Sequence, residues 1–138
     1  KRRRIMTENR FDQVVDIFLN SVRETLLVKG REYRRNGNVF HNFDEGSKRS
    51  GLIREKVLDG FLLKHEISIA DITNDLVDGK LPTKELLDEK FGDNIIYLII
   101  KKASIIDKLE KAIENEEICG DCYGTIDTNL KTNCKCGS

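Results

Sequence analysis

The chain has 138 residues, enough for one compact domain with a small appendage. Its 24 basic and 24 acidic residues cancel to a net charge of zero, which argues against a protein that coats nucleic acid or a membrane surface. The sequence holds neither an apolar run long enough to cross a bilayer nor a secretory signal. We therefore expect a cytoplasmic protein.

Composition and charge also divide the chain. Residues 1–4 are basic and residues 1–6 are interpreted as a flexible terminus, with Met6 as a candidate natural start. One proline, no tryptophan and few alternating β-branched residues favour helices. The predicted fold is all-α: a small, oligomeric helical bundle over residues 7–115, followed by a zinc-ribbon-like module at residues 116–138.

The first helix is predicted from Thr7 to about Arg35, because its apolar residues recur every three or four positions. Thr7 is a candidate N-cap, and Asn36-Gly37 is interpreted as the signal that ends the helix. Residues 38–50 have no helical period and are predicted to be a loop held by buried aromatic side chains.

Two further helical regions are predicted. Residues 50–78 form one helix, or two if Gly60 breaks it, and the last helix begins near Pro82 or Thr83 and reaches about Asn115. The last helix is apolar nearly all round at residues 95–100, which is typical of a central helix or a subunit interface. We therefore expect an antiparallel bundle that forms homo-oligomers.

Polar residues lie on lines beside the apolar stripes of three helices. Lys64 and Asp71 share one such line, and Glu89, Asp93 and Tyr97 share another at spacings of four residues. If these faces meet, the bundle gathers four carboxylates and two lysines: Glu32, Asp71, Glu89, Asp93, Lys29 and Lys64. Clustered carboxylates need a cation, which could be a lysine or Mg²⁺, and Mg²⁺ held by carboxylates supports phosphate chemistry. The alternative is that these charges simply face solvent.

Histidine and aromatic side chains supply the other candidate binding residues. His41, Asn42 and Phe43 would form the lip of a site that contacts a base or sugar, with Phe40 beside them. His65 is either a ligand-binding residue or a hydrogen-bonded histidine of the core. The aromatic residues, likewise, are either a stacking platform or plain core.

Four cysteines near the end of the chain form two close pairs. Cys119 and Cys122 make one pair, and Cys134 and Cys136 make the other. Four thiolates can bind Zn²⁺ tetrahedrally, and the glycines that follow Cys122 and Cys136 tolerate the backbone turn of a zinc knuckle. The pattern predicts a structural zinc site, with disulfides or unpaired thiols as the alternative.

Four stretches together resemble a helical family of bacteriophages, the nucleotide-modification-associated domain: residues 29–33, 38–43, 64–72 and 89–97. The resemblance covers residues 27–106, and the cysteine tail lies outside it. The family is also similar in layout to the MazG-like nucleotide pyrophosphohydrolases, which hold Mg²⁺ on Glu-x-x-Glu and Glu-x-x-Asp motifs from two helices. This chain departs from that pattern, since Glu89 and Asp93 are four residues apart and the partner helix offers Lys64, His65 and Asp71.

The resemblance implies a nucleotide-handling protein, which would act in the host cytoplasm if it is encoded by a phage. One hypothesis is a Mg²⁺-dependent pyrophosphohydrolase, with Glu89, Asp93, Asp71 and Glu32 as catalytic candidates and Lys29, Lys64 and Tyr97 contacting the nucleotide. A second is a binder that sequesters a signalling nucleotide without cleaving it. A third is a zinc-anchored module that contacts a host protein or a nucleic acid through its cysteine tail.

Overall fold

A computed structural model describes residues 5–115 and 119–120. The described residues contain four helices: α1 (Glu8–Tyr33), α2 (His41–Ser50), α3 (Arg54–Val77) and α4 (Lys84–Glu114). The all-α prediction is confirmed for this part of the chain, and the four helices are consistent with a small helical bundle. α1 continues through Gly30 and α3 continues through Gly60, so neither glycine breaks its helix.

Two helices begin at threonine N-caps, as the sequence indicates. The side chain of Thr7 accepts a hydrogen bond of 3.2 Å from the backbone N–H of Arg10 at the start of α1. Thr83 accepts one of 3.1 Å from Leu86 at the start of α4. Each bond satisfies one of the backbone donors that a helix leaves unpaired in its first turn.

The prediction that Asn36-Gly37 ends α1 is wrong in detail. The helix ends at Tyr33, two residues before the predicted end near Arg35, and Asn36 (φ 52°) and Gly37 (φ 77°) instead form a tight turn. Arg35 and Asn38 exchange backbone hydrogen bonds of 3.2 and 2.9 Å across this turn. Positive φ at two successive residues is the geometry that an Asn-Gly pair supplies in a two-residue reversal. The turn directs the chain from α1 into α2.

The segment at residues 38–50, predicted to be a loop, is mostly the short helix α2. It shows no apolar period because Phe43 is its only buried residue. Arg54 of α3 anchors its start by pairing with Asp44 at 3.2 Å and lying 4.1 Å above the ring of Phe40. Phe43 is 1% exposed, so the expectation of a buried aromatic anchor is confirmed.

By its contacts the chain divides into two compact units, Lys1–Ile99 and Ile100–Ser138, with the boundary inside α4. The buried apolar residues of the described chain all lie in the first unit: Val22, Phe43, Leu58, Leu62, Ile72, Ile96 and Tyr97. In the second unit, Asp107 and Lys111 form an ion pair of 2.8 Å one helical turn apart. No helix of the described residues is long and apolar enough to cross a membrane.

Candidate functional site

An ion pair in the first unit joins the end of α1 to the start of α4. The Nζ atom of Lys29 donates a hydrogen bond of 2.8 Å to Oδ1 of Asp93. The Lys29 side chain is 37% exposed and that of Asp93 is 16% exposed. The hydrogen bond and the charge of Asp93 raise the pKa of Lys29 above its usual value, although partial burial opposes that shift. Lys29 is therefore a firmly charged ammonium group that solvent can still reach.

Beside this pair lies a group of five rings from four helices, which we name the aromatic cluster: Tyr33, Phe43, Phe61, His65 and Tyr97. Tyr97 is its centre. The ring of Tyr97 lies 5.4 Å from that of Phe61 with an interplanar angle of 10°, and 4.9 Å from that of His65 with an angle of 20°. Phe61 and His65 are one helical turn apart on α3, so both can face the same ring.

The hydroxyl groups of Tyr97 and Tyr33 are 3.0 Å apart and share a hydrogen bond. Burial, together with this bond, raises the pKa of Tyr97 far above its usual value. The Tyr97 hydroxyl is consequently neutral at every physiological pH. The hydrogen bond between Tyr97 and Tyr33 therefore links α4 to α1 one helical turn beyond Asp93.

His65 is buried among charged groups. Burial lowers its pKa below the usual value, and Lys64, Lys90 and Lys29 lower it further, while Asp93 opposes them. His65 is therefore mostly neutral at pH 7. Three ammonium groups and the Asp93 carboxylate thus lie within electrostatic range of one imidazole ring.

Of the other acidic residues that the sequence singles out, Glu32 lies near enough to Lys29 for its charge to raise the pKa of that lysine. Glu32, Asp71 and Glu89 are exposed, and Glu89 pairs with Lys90 at 3.1 Å. Among the residues that the structure describes, no group of three or more His, Cys, Asp or Glu side chains is placed to hold a metal ion. The positive charge that neutralises Asp93 in this structure is the ammonium group of Lys29.

The predicted lip of the site takes a different form from the one expected. His41 begins α2 and is partly buried, Asn42 is exposed, and Phe43 packs in the core. The only one of these three that belongs to the aromatic cluster is therefore Phe43. Lys64 is exposed on α3, beside the buried His65.

Two residues near the site were not among the sequence-based candidates. Phe61 is 43% exposed, and its ring stacks on that of Tyr97. Lys90 is within electrostatic range of His65. The signal for Phe61 was its position four residues before His65 on α3, which places both on one face.

Of the four cysteines, Cys119 alone falls within the described residues. Cys122, Cys134 and Cys136 lie outside them, so the zinc site stays a prediction from the sequence. Comparisons with protein-family models, with curated proteins and with solved structures found no match to this chain.

Proposed function

We propose that this protein binds a nucleotide at the surface formed by Lys29, Lys64 and Phe61, and that it does so without cleaving it. The observation that supports the proposal most strongly is the partly exposed ammonium group of Lys29 beside the aromatic cluster, in which the ring of Phe61 is 43% exposed. Cationic and aromatic groups side by side match the two chemically different ends of a nucleotide.

The phosphate end would be held by the lysines. Lys64 is exposed and Lys29 is partly exposed, so phosphate oxygens can reach both ammonium groups. Lysine binds phosphate as a point charge with three donors, and hydrogen bonds between charged partners are about twice as strong as neutral ones. In this arrangement the phosphate competes with the Asp93 carboxylate for Lys29.

The base end would stack on Phe61. Its ring is already supported from behind by Tyr97 at 5.4 Å and nearly parallel to it, so the exposed face is presented in one orientation. Stacking of a base on an aromatic side chain contributes about 1–3 kcal/mol and tolerates different bases. This contact would provide affinity, and the polar groups nearby would provide selectivity.

Binding without cleavage is favoured over hydrolysis because Asp93 is engaged by Lys29. The acidic residues Glu32, Asp71 and Glu89 are exposed, and no group of three or more His, Cys, Asp or Glu side chains in the described part of the chain is placed to hold a metal ion. Sequestration of a signalling nucleotide is one biological use of such a site. Hydrolysis remains the alternative that an experiment must separate from binding.

The test uses the full chain and a panel of nucleoside mono-, di- and triphosphates and cyclic nucleotides. The melting temperature is measured with and without Mg²⁺, and each ligand is recovered after denaturation and identified by mass spectrometry. We expect at least one class to raise the melting temperature, because a ligand that binds the folded state stabilises it, and to be recovered intact. The absence of any shift contradicts nucleotide binding, and recovery of a cleaved product assigns the hydrolase instead.

Lys48 offers a matched control for the lysines of the site. It is exposed on α2 and pairs with Glu45 at 2.8 Å. We expect Lys64→Met to reduce the ligand-induced shift and Lys48→Met to leave it unchanged. If both variants reduced the ligand-induced shift equally, the cause would be the change in net charge and not the loss of a binding site.

A further inference from the structure

A groove of about 580 Å³ runs between the first half of α1 and the start of α4, away from the candidate site. Its walls are mainly apolar, and the apolar side chains that line it are Val14, Ile17, Phe18, Leu87 and Phe91. Val14 and Ile17 are 39% and 60% exposed, and Phe91 is 40% exposed. Large apolar side chains exposed side by side in a groove mark a surface that is covered by a partner.

α1 lacks a cover on this side. Of its 26 residues, Val22 is the only buried one. Val14, Ile17 and Val28, at spacings that fit a heptad, form a second apolar line along the helix, and Val28 is 63% exposed. Ser21, which also borders the groove, lies midway along this line between Val14 and Val28. A small residue at that point lets another helix approach closely.

The charges of α1 are distributed unequally along its length. Residues 8–20 contain three acidic side chains and one basic one, whereas residues 21–33 contain three basic side chains and two acidic ones. Two copies of this helix laid side by side in the same direction would place like charges together. Laid in opposite directions, they place the acidic half of each against the basic half of the other, which favours association.

We propose that this groove is the interface of a homodimer, in which α1 of a second copy lies antiparallel to α1 about a two-fold axis near Ser21. Such an interface is self-complementary, because the same patch is used by both subunits. Centring it on Ser21 brings Val14 opposite Val28 of the second copy, and Arg10 opposite Glu32 of the second copy. This interface gives the homo-oligomer expected from the sequence a specific contact surface. Formation of the dimer does not depend on nucleotide binding.

The test measures the mass of the full chain by sedimentation velocity over a wide range of concentrations. We expect a monomer–dimer equilibrium, and we expect Ile17→Glu to weaken it roughly tenfold or more, because a charge would be buried at the centre of the interface. Ile17 is 60% exposed, so the fold should tolerate the substitution, and circular dichroism checks this. Val77→Glu, at an 82% exposed position on α3, is the matched control and should leave the equilibrium unchanged.

Charge reversal tests the antiparallel register. We expect Arg10→Glu and Glu32→Arg each to weaken the dimer, and the double variant to recover much of the loss, because the pair is restored with its signs exchanged. A wild-type chain that stays monomeric at all concentrations, or a dimer unaffected by Ile17→Glu, overturns the interface. Loss without recovery in the double variant overturns the proposed register.

Discussion

The ammonium group of Lys29 lies 2.8 Å from the carboxylate of Asp93, although the two residues are 64 positions apart in the chain. The pair is only partly buried, so solvent screens it and its contribution to stability is modest. Its more important consequence is chemical. Because the carboxylate of Asp93 already binds the ammonium group of Lys29, an anionic ligand must compete with Asp93 for that group.

The effect of Asp93→Asn on nucleotide affinity distinguishes binding from hydrolysis, because the two functions predict changes in opposite directions. Removal of the carboxylate takes away the anion that competes for Lys29, so we predict tighter nucleotide binding by titration calorimetry. The cost in stability should be about 0.2–1 kcal/mol, because the pair is partly exposed. Asp88→Asn is the matched control, since Asp88 pairs with Lys84 at 2.9 Å on an exposed face. Weaker binding together with the loss of a magnesium-dependent activity would favour the hydrolase.

Burial of His65 predicts a dependence of stability on pH. Its pKa is lowered in the folded state, so the unfolded chain binds the proton more readily than the folded chain does. The contribution of neutral His65 is fully present above pH 6.5 and is lost as the pH falls through the lower folded-state value. Urea unfolding at a series of pH values should show the free energy of unfolding falling below about pH 6.5.

His65→Phe keeps a ring against Tyr97 and removes the titrating group, so it should flatten this dependence on pH. An equally steep fall of the free energy of unfolding in the variant would assign the effect to other groups.

Two glycines on neighbouring helices predict opposite effects of alanine. A Cβ atom at Gly46 of α2 would lie 2.9 Å from Cγ1 of Val57 on α3, whereas nothing lies within 4 Å at Gly60. We expect Gly46→Ala to lower the free energy of unfolding by about 1–3 kcal/mol through overpacking. Gly60→Ala should raise it by about 0.5–1 kcal/mol through helix propensity.

Chemical denaturation measures both changes. Val57→Ala should reduce the cost of Gly46→Ala, so that the double variant is more stable than the sum of the single effects predicts. Additive effects would show that α2 and α3 do not approach closely at this point.

The cysteine pairs predict a bound metal. We expect about one zinc ion per purified chain by elemental analysis, as a tetrahedral Cys₄ site requires. Cys122→Ser should lose the metal while the helical circular dichroism signal stays, because the metal stabilises its own small module. Disulfides found by mass spectrometry in protein purified under reducing conditions would contradict the zinc site.

Three of the four helices could be predicted from the sequence, since α1, α3 and α4 each carry an apolar stripe over more than twenty residues. The remaining helix, α2, could not be predicted from the sequence. Its residues have no period, because it buries only Phe43 and is anchored instead by the contacts of Arg54 with Asp44 and Phe40. Such contacts join residues whose distance in space no local pattern reveals.

The candidate site could be predicted only in part for a related reason. The spacing of residues on a helix gives the face on which Lys29 or Asp93 lies, and the contact between those two faces follows the expectation. Spacing does not give the rotation of one helix against another. The structure accordingly leaves Asp71 and Glu89 exposed, and it places Phe61 at the edge of the aromatic cluster.

The most direct test is the affinity of the full chain for the nucleotide that stabilises it best, compared with that of Lys64→Met and Lys29→Met. We predict saturable binding that each substitution weakens roughly tenfold, as expected for the loss of a hydrogen bond between charged groups. Lys64 is exposed, so its replacement does not endanger the fold. Unchanged affinity in both variants, or no saturable binding by the wild-type chain, would contradict a nucleotide site at these lysines.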